Sequence, residues 1–318
     1  SWGQDGRGDG FKIVKASMPE VSEDIDFELS LTEYFNACVD NGVAQPNLVA
    51  SPLKGQYGSI SSNGGYNMGI AFDGEYVYYG LNTSGNKQIV VYKATPDGTI
   101  VANSATFDVS NVDGDNARLF IKDGTLYAIG PVWERTVGEG DEATKVTQGP
   151  VYSIRLEDFK QGCEFTEDDS LPFDESGAPF SAAWNEANQK FAVLNTGRWL
   201  YVVNEEGESL ASVHPEISGF KTSSVTCDDN YIYVSYCING QKSIPVRVYD
   251  WSLNLVYEMT VKGEGGADIG LGPGVGTSYN AQCICVVDGV IYVSLSKWSG
   301  SENMAVWVIK PDMSVFGN

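Results

Sequence analysis

The sequence predicts an all-β protein assembled from repeated antiparallel sheets, and three observations support this fold class. An acidic turn followed by an apolar, tyrosine-containing strand recurs along the chain. The 318 residues include 36 Gly, 12 Pro, 17 Tyr and 13 Phe, which suit many short strands and tight turns. Long segments with alanine, glutamate, lysine and leucine at helical spacing are missing. Short strands joined by turns are therefore expected throughout.

The recurring turn begins with an aspartate, which is most often followed by glycine. Its clear copies begin at Asp73, Asp123, Asp228 and Asp288, and a degenerate copy begins at Asn185. Each copy follows one short apolar run and precedes another, which is the pattern of a tight β-hairpin. Repetition with a period of about 40–60 residues indicates a solenoid or a propeller.

Four antiparallel strands can be predicted around each hairpin. The five resulting units have their second strands at residues 76–81, 125–130, 190–194, 231–237 and 290–295. Four-stranded antiparallel units with turns at fixed places are the blades of a β-propeller. We therefore expect residues 11–318 to form a single β-propeller domain, of which residues 67–318 supply five recognisable blades.

The number of blades depends on residues 11–66. Strand character at Phe11–Ala16, Phe27–Thr32 and Asn47–Pro52 favours a degenerate first blade, and hence a ring of six. The alternative is a five-bladed ring to which this segment supplies one closing strand. Residues 1–10 are rich in glycine and aspartate and are predicted to be a flexible tether.

The blades resemble those of a known propeller type. The Asp-Gly turn that leads into an apolar strand, as in Asp73-Gly74-Glu75-Tyr76-Val77, is similar to the repeat of NHL, YVTN and quinoprotein propellers. This resemblance covers residues 67–318 and implies the fold alone. The chain as a whole is also similar to secreted or lipid-anchored propellers of bacterial cell envelopes.

The charge of the chain is strongly negative. Its 20 Lys and Arg against 42 Asp and Glu give a formal net charge of −22. Such a field repels nucleic acid and anionic lipid, and it favours neutral polysaccharide or protein and peptide ligands. The alternative is that the acidic residues only keep the protein soluble. The sequence has no apolar run long enough to span a membrane.

The sequence predicts an extracytoplasmic location. It lacks an initiator methionine and starts with a glycine- and aspartate-rich segment, which is typical of a processed or tethered end. We expect a secreted, periplasmic or cell-surface protein, with a lipid anchor upstream as a further expectation.

Two tryptophans hold equivalent places in the repeat. Trp133 and Trp298 each lie six residues after the tyrosine of an Asp-Gly unit, where the loop between the second and third strands begins. That loop lies on the rim where propellers commonly bind ligands. Exposed indole rings suit sugar faces and peptides. The alternative is that both rings are packing elements inherited with the repeat.

Amide side chains recur where the innermost strands begin on the same rim. They are Asn67, Asn116 and Asn280, with Arg118 and Gln282 beside them. Inner strands line the central channel, so these groups are candidates for binding a neutral polar ligand such as a glycan. The alternative is that each asparagine caps a turn of its own backbone.

One acidic loop is a weak calcium candidate. Asn111, Asp113 and Asp115 place oxygen-bearing side chains at alternate positions, which suits a calcium ion. The alternative is an acidic, solvated turn. Calcium aside, no cofactor is expected.

The sequence gives catalysis little support. His214 is the only histidine, which excludes a two-histidine site and disfavours a Ser-His-Asp triad. The leading prediction is a non-catalytic binding module of the cell envelope that engages a glycan or a peptide through its loop-rich rim. The alternative is a carboxylate-dependent glycosidase or lyase acting on polysaccharide. A propeller that serves only as a structural spacer is a third interpretation.

Overall fold

The computed structural model describes residues 29–53, 65–83, 88–109, 116–131, 133–238, 240–271, 279–296 and 304–317. Within these ranges the chain is mostly β-strand, in antiparallel sheets that are the blades of a β-propeller. The first blade contains β2 (Gly65–Phe72), β3 (Val77–Thr83), β4 (Gln88–Ala94), β5 (Ile100–Asn103) and β6 (Phe107–Asp108). Both β5 and β6 pair with β4, so the outer edge of this blade is split.

The second and third blades follow the same plan. The second contains β7 (Arg118–Lys122), β8 (Thr125–Ile129), β11 (Val151–Arg155) and β12 (Thr166–Glu167). Its loop between β8 and β11 carries an additional hairpin of β9 (Trp133–Val137) and β10 (Thr144–Gln148). The third contains β13 (Pro179–Asn185), β14 (Lys190–Asn195), β15 (Leu200–Asn204) and β16 (Ser209–Val213).

The last two blades are joined by a strand from the N-terminal part of the chain. The fourth contains β17 (Lys221–Cys227), β18 (Ile232–Cys237), β19 (Ile244–Tyr249) and β20 (Leu255–Gly263). The fifth contains β21 (Asn280–Val287), β22 (Val290–Ser296), β23 (Met304–Pro311) and β1 (Leu48–Pro52). Strand β1 pairs antiparallel with β23 and parallel with β20. An N-terminal strand thus completes the blade that contains the last strand of the chain, and this pairing closes the ring.

The inner strands contact one another in the cyclic order β2, β7, β13, β17, β21 and back to β2. The described residues therefore contain five blades around a channel, the arrangement left open as the alternative; the preferred count of six is not confirmed. The segment after β23, which the four-strand pattern of the repeat predicts as the outer strand of the fifth unit, forms a 3₁₀ turn, Met313–Phe316, because β1 occupies that edge. Residues 1–28 lie outside the described residues, and the division of domains there stays a prediction.

A helix begins at Leu31, inside the segment Phe27–Thr32 that was expected to be a strand, of which residues 29–32 are described. Helix α1 (Leu31–Asp40) begins with a capping box, in which Ser30 Oγ accepts from the Glu33 backbone and Glu33 accepts from the Ser30 backbone. Its apolar face is buried beside blades four and five, where Phe35 stacks on Tyr257 at 4.9 Å. No helix of the described part is both long and apolar enough to cross a membrane.

The repeated aspartates hold the hairpin turns in two ways. In the first blade the Asp73 carboxylate accepts from two backbone N–H groups of its own turn and from the Tyr78 hydroxyl at 3.1 Å. The Asp228 carboxylate does the same in the fourth blade, with the Tyr233 hydroxyl at 2.7 Å. Asp123 instead adopts a φ of 51° ahead of a glycine, as in a two-residue type I′ turn. The tyrosine of the repeat is thus part of the turn in two blades.

Tyr34 connects helix α1 to the closure of the ring. Its buried hydroxyl lies 2.8 Å from the carbonyl oxygen of Asn47 and 2.9 Å from that of Asp312. It also accepts from the backbone N–H of Asn47 at 3.0 Å. Burial raises the pKa of this phenol well above its ordinary value, so it stays a neutral donor.

We expect Tyr34→Phe to lower the free energy of unfolding by about 1–3 kcal/mol, because buried backbone groups beside β1 lose their partner. Chemical denaturation measures the loss. The matched control is Tyr201→Phe, since the half-buried Tyr201 hydroxyl has no hydrogen bond among the described residues. Equal losses in both variants would contradict a bonding role for Tyr34.

Glycine lets the first two blades approach closely. A Cβ atom would lie 1.9 Å from the carbonyl oxygen of Ala117 at Gly69, and 2.1 Å from it at Gly80. Real Cβ atoms do not approach that closely, and the obstacle is backbone. The distance between the first and second blades therefore depends on these two glycines.

Gly80→Ala should destabilise the protein by about 3 kcal/mol or more, because the blades must separate to admit the methyl group. Thermal and chemical unfolding measure the effect. Gly270→Ala serves as the control, as no atom lies within 4 Å of its Cβ position. A Gly80→Ala protein as stable as the control would show that the ring tolerates the separation.

Candidate functional site

Four of the predicted site residues lie together where inner strands begin. Asn116 and Arg118 are at the start of β7, and Asn280 and Gln282 are at the start of β21; all four are buried. Asn67 lies on β2 and Trp133 begins β9, but their side chains are outside the described part. The remaining predicted residues, Trp298, Asn111, Asp113 and Asp115, lie outside the described residues.

A β-bulge interrupts most inner strands near their first residues. The register shifts by one residue in four of them, which leaves one residue of each strand unpaired in the ladder. The unpaired residues are Met68, Phe180, Ser223 and Gln282. Their carbonyl groups need partners from outside the ladder, because a buried carbonyl without a donor is costly.

Arg118 supplies donors to two of these bulges. Its Nε lies 2.6 Å from the Ser223 carbonyl oxygen and 3.0 Å from that of Gln282. Nη2 lies 3.4 Å from Gln282 Oε1, and Nη1 donates to Asn116 Oδ1 at 3.0 Å. One guanidinium group therefore connects the second, fourth and fifth blades at the end of the channel, which we call the arginine end.

Asn116 extends this network to the first and third blades. Its Nδ2 donates to the bulge carbonyl of Phe180 at 2.8 Å, and its own carbonyl accepts from Asn82 Nδ2 at 3.1 Å. Its Oδ1 also accepts from the backbone N–H of Arg118 at 3.1 Å, which is the turn-capping geometry left open as an alternative. The side-chain amide thus bonds the backbone of the second and third blades, and the Asn116 backbone carbonyl adds a bond from the first.

The Phe180 ring lies between two arginines. The guanidinium carbon of Arg118 is 3.9 Å from the ring centroid, and that of Arg198 is 3.6 Å from it. Two guanidinium carbons this close cannot share a face, so they occupy opposite faces of the ring. Arg198 adopts a φ of 66° and donates through Nη1 to the Thr222 carbonyl at 2.5 Å.

The arginine end is positively charged within a strongly acidic protein. Among the described residues, no carboxylate forms a salt bridge with Arg118 or Arg198. Burial, together with the charge of Arg198, lowers the pKa of Arg118 to about 9, so Arg118 remains protonated at neutral pH. Burial raises the pKa of the Cys237 thiol, against the opposing charges of Arg118, Arg198 and Lys221. Three cations therefore surround that thiol.

The opposite end of the channel is a cavity with polar and apolar lining residues. It has a volume of about 460 Å³ and opens beside the Asp-Gly turns. Inner-strand residues such as Ala182, Val225 and Ile284 line it, with Asp73 at its edge. The Asp73 carboxylate accepts the hydrogen bonds of its own turn, and Asp288 and Thr226 also line this end.

No group of three or more His, Cys, Asp or Glu side chains in the described ranges is arranged to hold a metal ion. The calcium candidate lies outside those ranges and stays a prediction. All six cysteines lie inside them and are free thiols, four of them buried.

Sequence reasoning missed the third-blade contribution. Arg198 and Trp199 lie in the short turn between β14 and β15, the rim position equivalent to that of Trp133. Trp199 is 43% exposed, and its ring stacks on His214 at 4.8 Å. The sequence signal for this turn is the adjacent basic and aromatic pair Arg198-Trp199 at an equivalent repeat position. The turn is short, whereas the predicted ligand rim was based on the longest loops.

No protein-family model matches the sequence, and no curated protein matches it. Solved structures with similar folds do exist. The tail fibre of Staphylococcus aureus phage P68 is 12% identical with a TM-score of 0.56, over 84% of this chain and 54% of that protein. This chain thus spans about half the length of the tail fibre.

Weaker similarities include two proteins of different kinds. A GH43 β-xylosidase/α-arabinofuranosidase from a compost microbial metagenome is 12% identical, with 84% and 94% of the chains covered and a TM-score of 0.46. BamB from Moraxella catarrhalis is 13% identical, with 75% and 71% covered and a TM-score of 0.35. At these identities the likeness concerns the fold alone. The protein is a β-propeller, and its activity must be argued from its own residues.

We expect Arg118→Met to destabilise the protein by about 2–4 kcal/mol, because the bulge carbonyls of Ser223 and Gln282 lose their donor. Removing the buried charge offsets part of this cost. Chemical denaturation measures the difference. Arg155→Met is the control, since exposed Arg155 pairs only with exposed Glu157 and contributes about 0–1 kcal/mol. If both variants unfold alike, Arg118 does not hold the blades together.

Proposed function

We propose that this β-propeller is a non-catalytic binding module that engages a glycan or a peptide through the rim around its arginine end. The observation that carries the proposal is the rim position of Arg198 and Trp199. There a half-buried guanidinium group stacked on Phe180 adjoins an exposed indole ring in one short turn. Stacked arginine and exposed tryptophan are the residue types most enriched where binding energy concentrates.

The alternative enzyme would need two carboxylates placed across one bond, about 5–9.5 Å apart. The described starts of the inner strands instead carry amides, hydroxyls and Arg118. The acidic residues of the Pro131–Gly149 loop, Glu139, Asp141 and Glu142, are exposed in the turn of the β9–β10 hairpin. That arrangement suits a solvated surface, and it supports binding over hydrolysis.

An extracytoplasmic place in a bacterial cell envelope remains part of the proposal. The composition supports it, since the chain has a formal net charge of −22 and is rich in glycine and tyrosine. An adhesive or receptor-like role on a cell surface agrees with a rim specialised for contact.

An array of glycans and peptides tests the proposed function. We expect the full chain to retain at least one ligand class without releasing cleavage products. Trp199→Ala should weaken that binding roughly tenfold, because truncation of an aromatic anchor typically costs more than 1 kcal/mol. The Trp133→Ala, Trp298→Ala double variant tests in parallel whether these predicted rim tryptophans share the platform.

The matched control is Trp251→Phe, because the Trp251 indole bonds the Asp228 carbonyl beside the opposite rim. It should bind as the wild type does. Shortened sugar products released by the wild type would favour the enzyme. Failure to retain any glycan or peptide would remove the binding function.

A further inference from the structure

A cleft on the second blade lies apart from the arginine end. It has a volume of about 510 Å³, within the roughly 300–1,000 Å³ typical of small-molecule sites. Strands β8 and β11 and the segment from Asp158 to Asp168 line it. Thr125 and Arg155, which pair across the two strands, stand at the end of the blade away from Arg118. The cleft is therefore a separate feature of the fold.

The polar lining of the cleft follows from the register of the blade. Tyr127 pairs with Ser153, and Ser153 pairs with Thr166, so the three residues form a row across β8, β11 and β12. Paired residues share a face of an antiparallel sheet, as do residues two apart on one strand, which adds Thr125 to this face. Ser153 Oγ also donates to Asp168 Oδ2 at 2.7 Å. Three aliphatic hydroxyls, a phenol and a carboxylate thus meet in the cleft.

The tyrosine of the repeat in this blade, Tyr127, lacks the partner that its counterparts have. The hydroxyls of Tyr78 and Tyr233 donate to the aspartates of their own turns. The aspartate of the second blade, Asp123, pairs instead with the lysine before it at 2.8 Å. The Tyr127 hydroxyl makes no hydrogen bond among the described residues, so its donor is unused.

The Tyr127 hydroxyl is positioned to donate to a molecule in the cleft. The residue lines the cleft, is only 8% exposed, and stacks its ring on Phe120 with the centroids 4.8 Å apart. Burial, together with the charge of Asp168, raises the pKa of this phenol, so it stays neutral. Unpaired buried polar groups are uncommon in native proteins, and an acceptor on a ligand would satisfy this one.

The Asp168 carboxylate supplies a complementary acceptor. Burial opposes its ionisation, but hydrogen bonds from Ser170 and Ser153 lower its pKa, so it is ionised at neutral pH. It accepts from Ser153 Oγ, from Ser170 Oγ and from the Ser170 backbone N–H. A carboxylate has about four lone-pair positions, so about one remains for a ligand. The hydroxyls of Thr125 and Thr166 also make no hydrogen bond within the described ranges.

The charges around the cleft favour a neutral ligand. Arg155 and Lys160 line it together with Asp158, Glu164 and Asp168, so cations and carboxylates nearly balance. The chain as a whole carries −22 and repels anions at long range. The groups left free are mostly hydroxyls, which both donate and accept. A neutral molecule with several hydroxyls of its own matches them.

We propose that the cleft of the second blade binds a neutral sugar residue. One sugar hydroxyl accepts from Tyr127, another donates to Asp168, and Thr125 and Thr166 bond further hydroxyls. This site goes beyond the proposed function, because it shares no residue with the rim around the arginine end. An amino acid would match the charges of the cleft but would leave its hydroxyls without a comparable set of partners.

Ligand-observed NMR with the full chain tests the site. The probes are the methyl glycosides of glucose, galactose, mannose and xylose, with glycine, inorganic phosphate and ethylammonium as charged counterparts. At least one glycoside should bind with a dissociation constant of about 1 mM or tighter, and more tightly than any charged probe. Added salt should have little effect on it, because the ligand carries no charge.

Variants then locate the sugar. Tyr127→Phe removes one oxygen and keeps the ring on Phe120, so it should weaken glycoside binding about fivefold while leaving the melting temperature nearly unchanged. Tyr233→Phe is the matched control, since its hydroxyl donates to Asp228 at 2.7 Å. That variant should lose stability and bind the glycoside normally. Thr125→Val should weaken binding a few-fold.

The outcomes separate the cleft from the rim. Absence of glycoside binding, or tighter binding of a charged probe, would overturn the inference, as would a Tyr127→Phe variant that binds normally. A glycoside lost in Trp199→Ala but kept in Tyr127→Phe belongs to the rim, which supports the proposed function and removes the cleft. A glycoside lost only in Tyr127→Phe supports the cleft and leaves the proposed function to be decided by the array.

Discussion

The ring depends on one buried guanidinium group. Bulges near the starts of the inner strands turn backbone carbonyls out of their ladders, and the bulged residues Ser223 and Gln282 are buried. Arg118 donates to the carbonyls of Ser223 and Gln282, and through Asn116 it is connected to that of Phe180. Lysine would not reproduce this arrangement, because it lacks the rigid plane in which Nε meets the Ser223 and Gln282 carbonyls while Nη1 donates to Asn116 Oδ1. The blades are therefore held at the axis by side-chain donors as well as by packing between neighbours.

This solution has an electrostatic consequence. A guanidinium group bonded only to carbonyls and amides keeps its full charge, so the axis of an acidic protein acquires a positive centre. The π face of Phe180 attracts that charge electrostatically, and its other face attracts Arg198. Arg198 is less buried and has fewer internal partners, so it is the member of the pair that can meet a ligand. Structural and binding roles are thus divided between two arginines on one aromatic ring.

The sequence could predict what is local and repeated. Asp73 and Asp228 predict their hairpins because their carboxylates accept hydrogen bonds from the backbone of their own turns. The flanking strands can be predicted because short apolar runs alternate with such turns. Ring closure could not be predicted in the same way. The local sequence of Leu48–Pro52 predicts a strand, but it does not indicate that this strand pairs with β20 and β23. The capping box at Ser30 and Glu33 starts a helix, whereas the strand character of Phe27–Thr32 predicts the opposite. The positions of the β-bulges could not be predicted, because a register shift of one residue does not require a particular residue type.

The same distinction decides what the predicted site residues do. Asn116 and Gln282 were candidates because amides at the channel suit polar ligands, yet their described polar contacts go to backbone and to Arg118. A side chain already bonded on every side has little left for a ligand, and displacing those bonds would cost the ring its axial support. Recognition therefore falls to groups at the margin of the network, where donors or acceptors remain unused. Arg198 meets that condition, because its half-buried guanidinium group makes one hydrogen bond among the described residues.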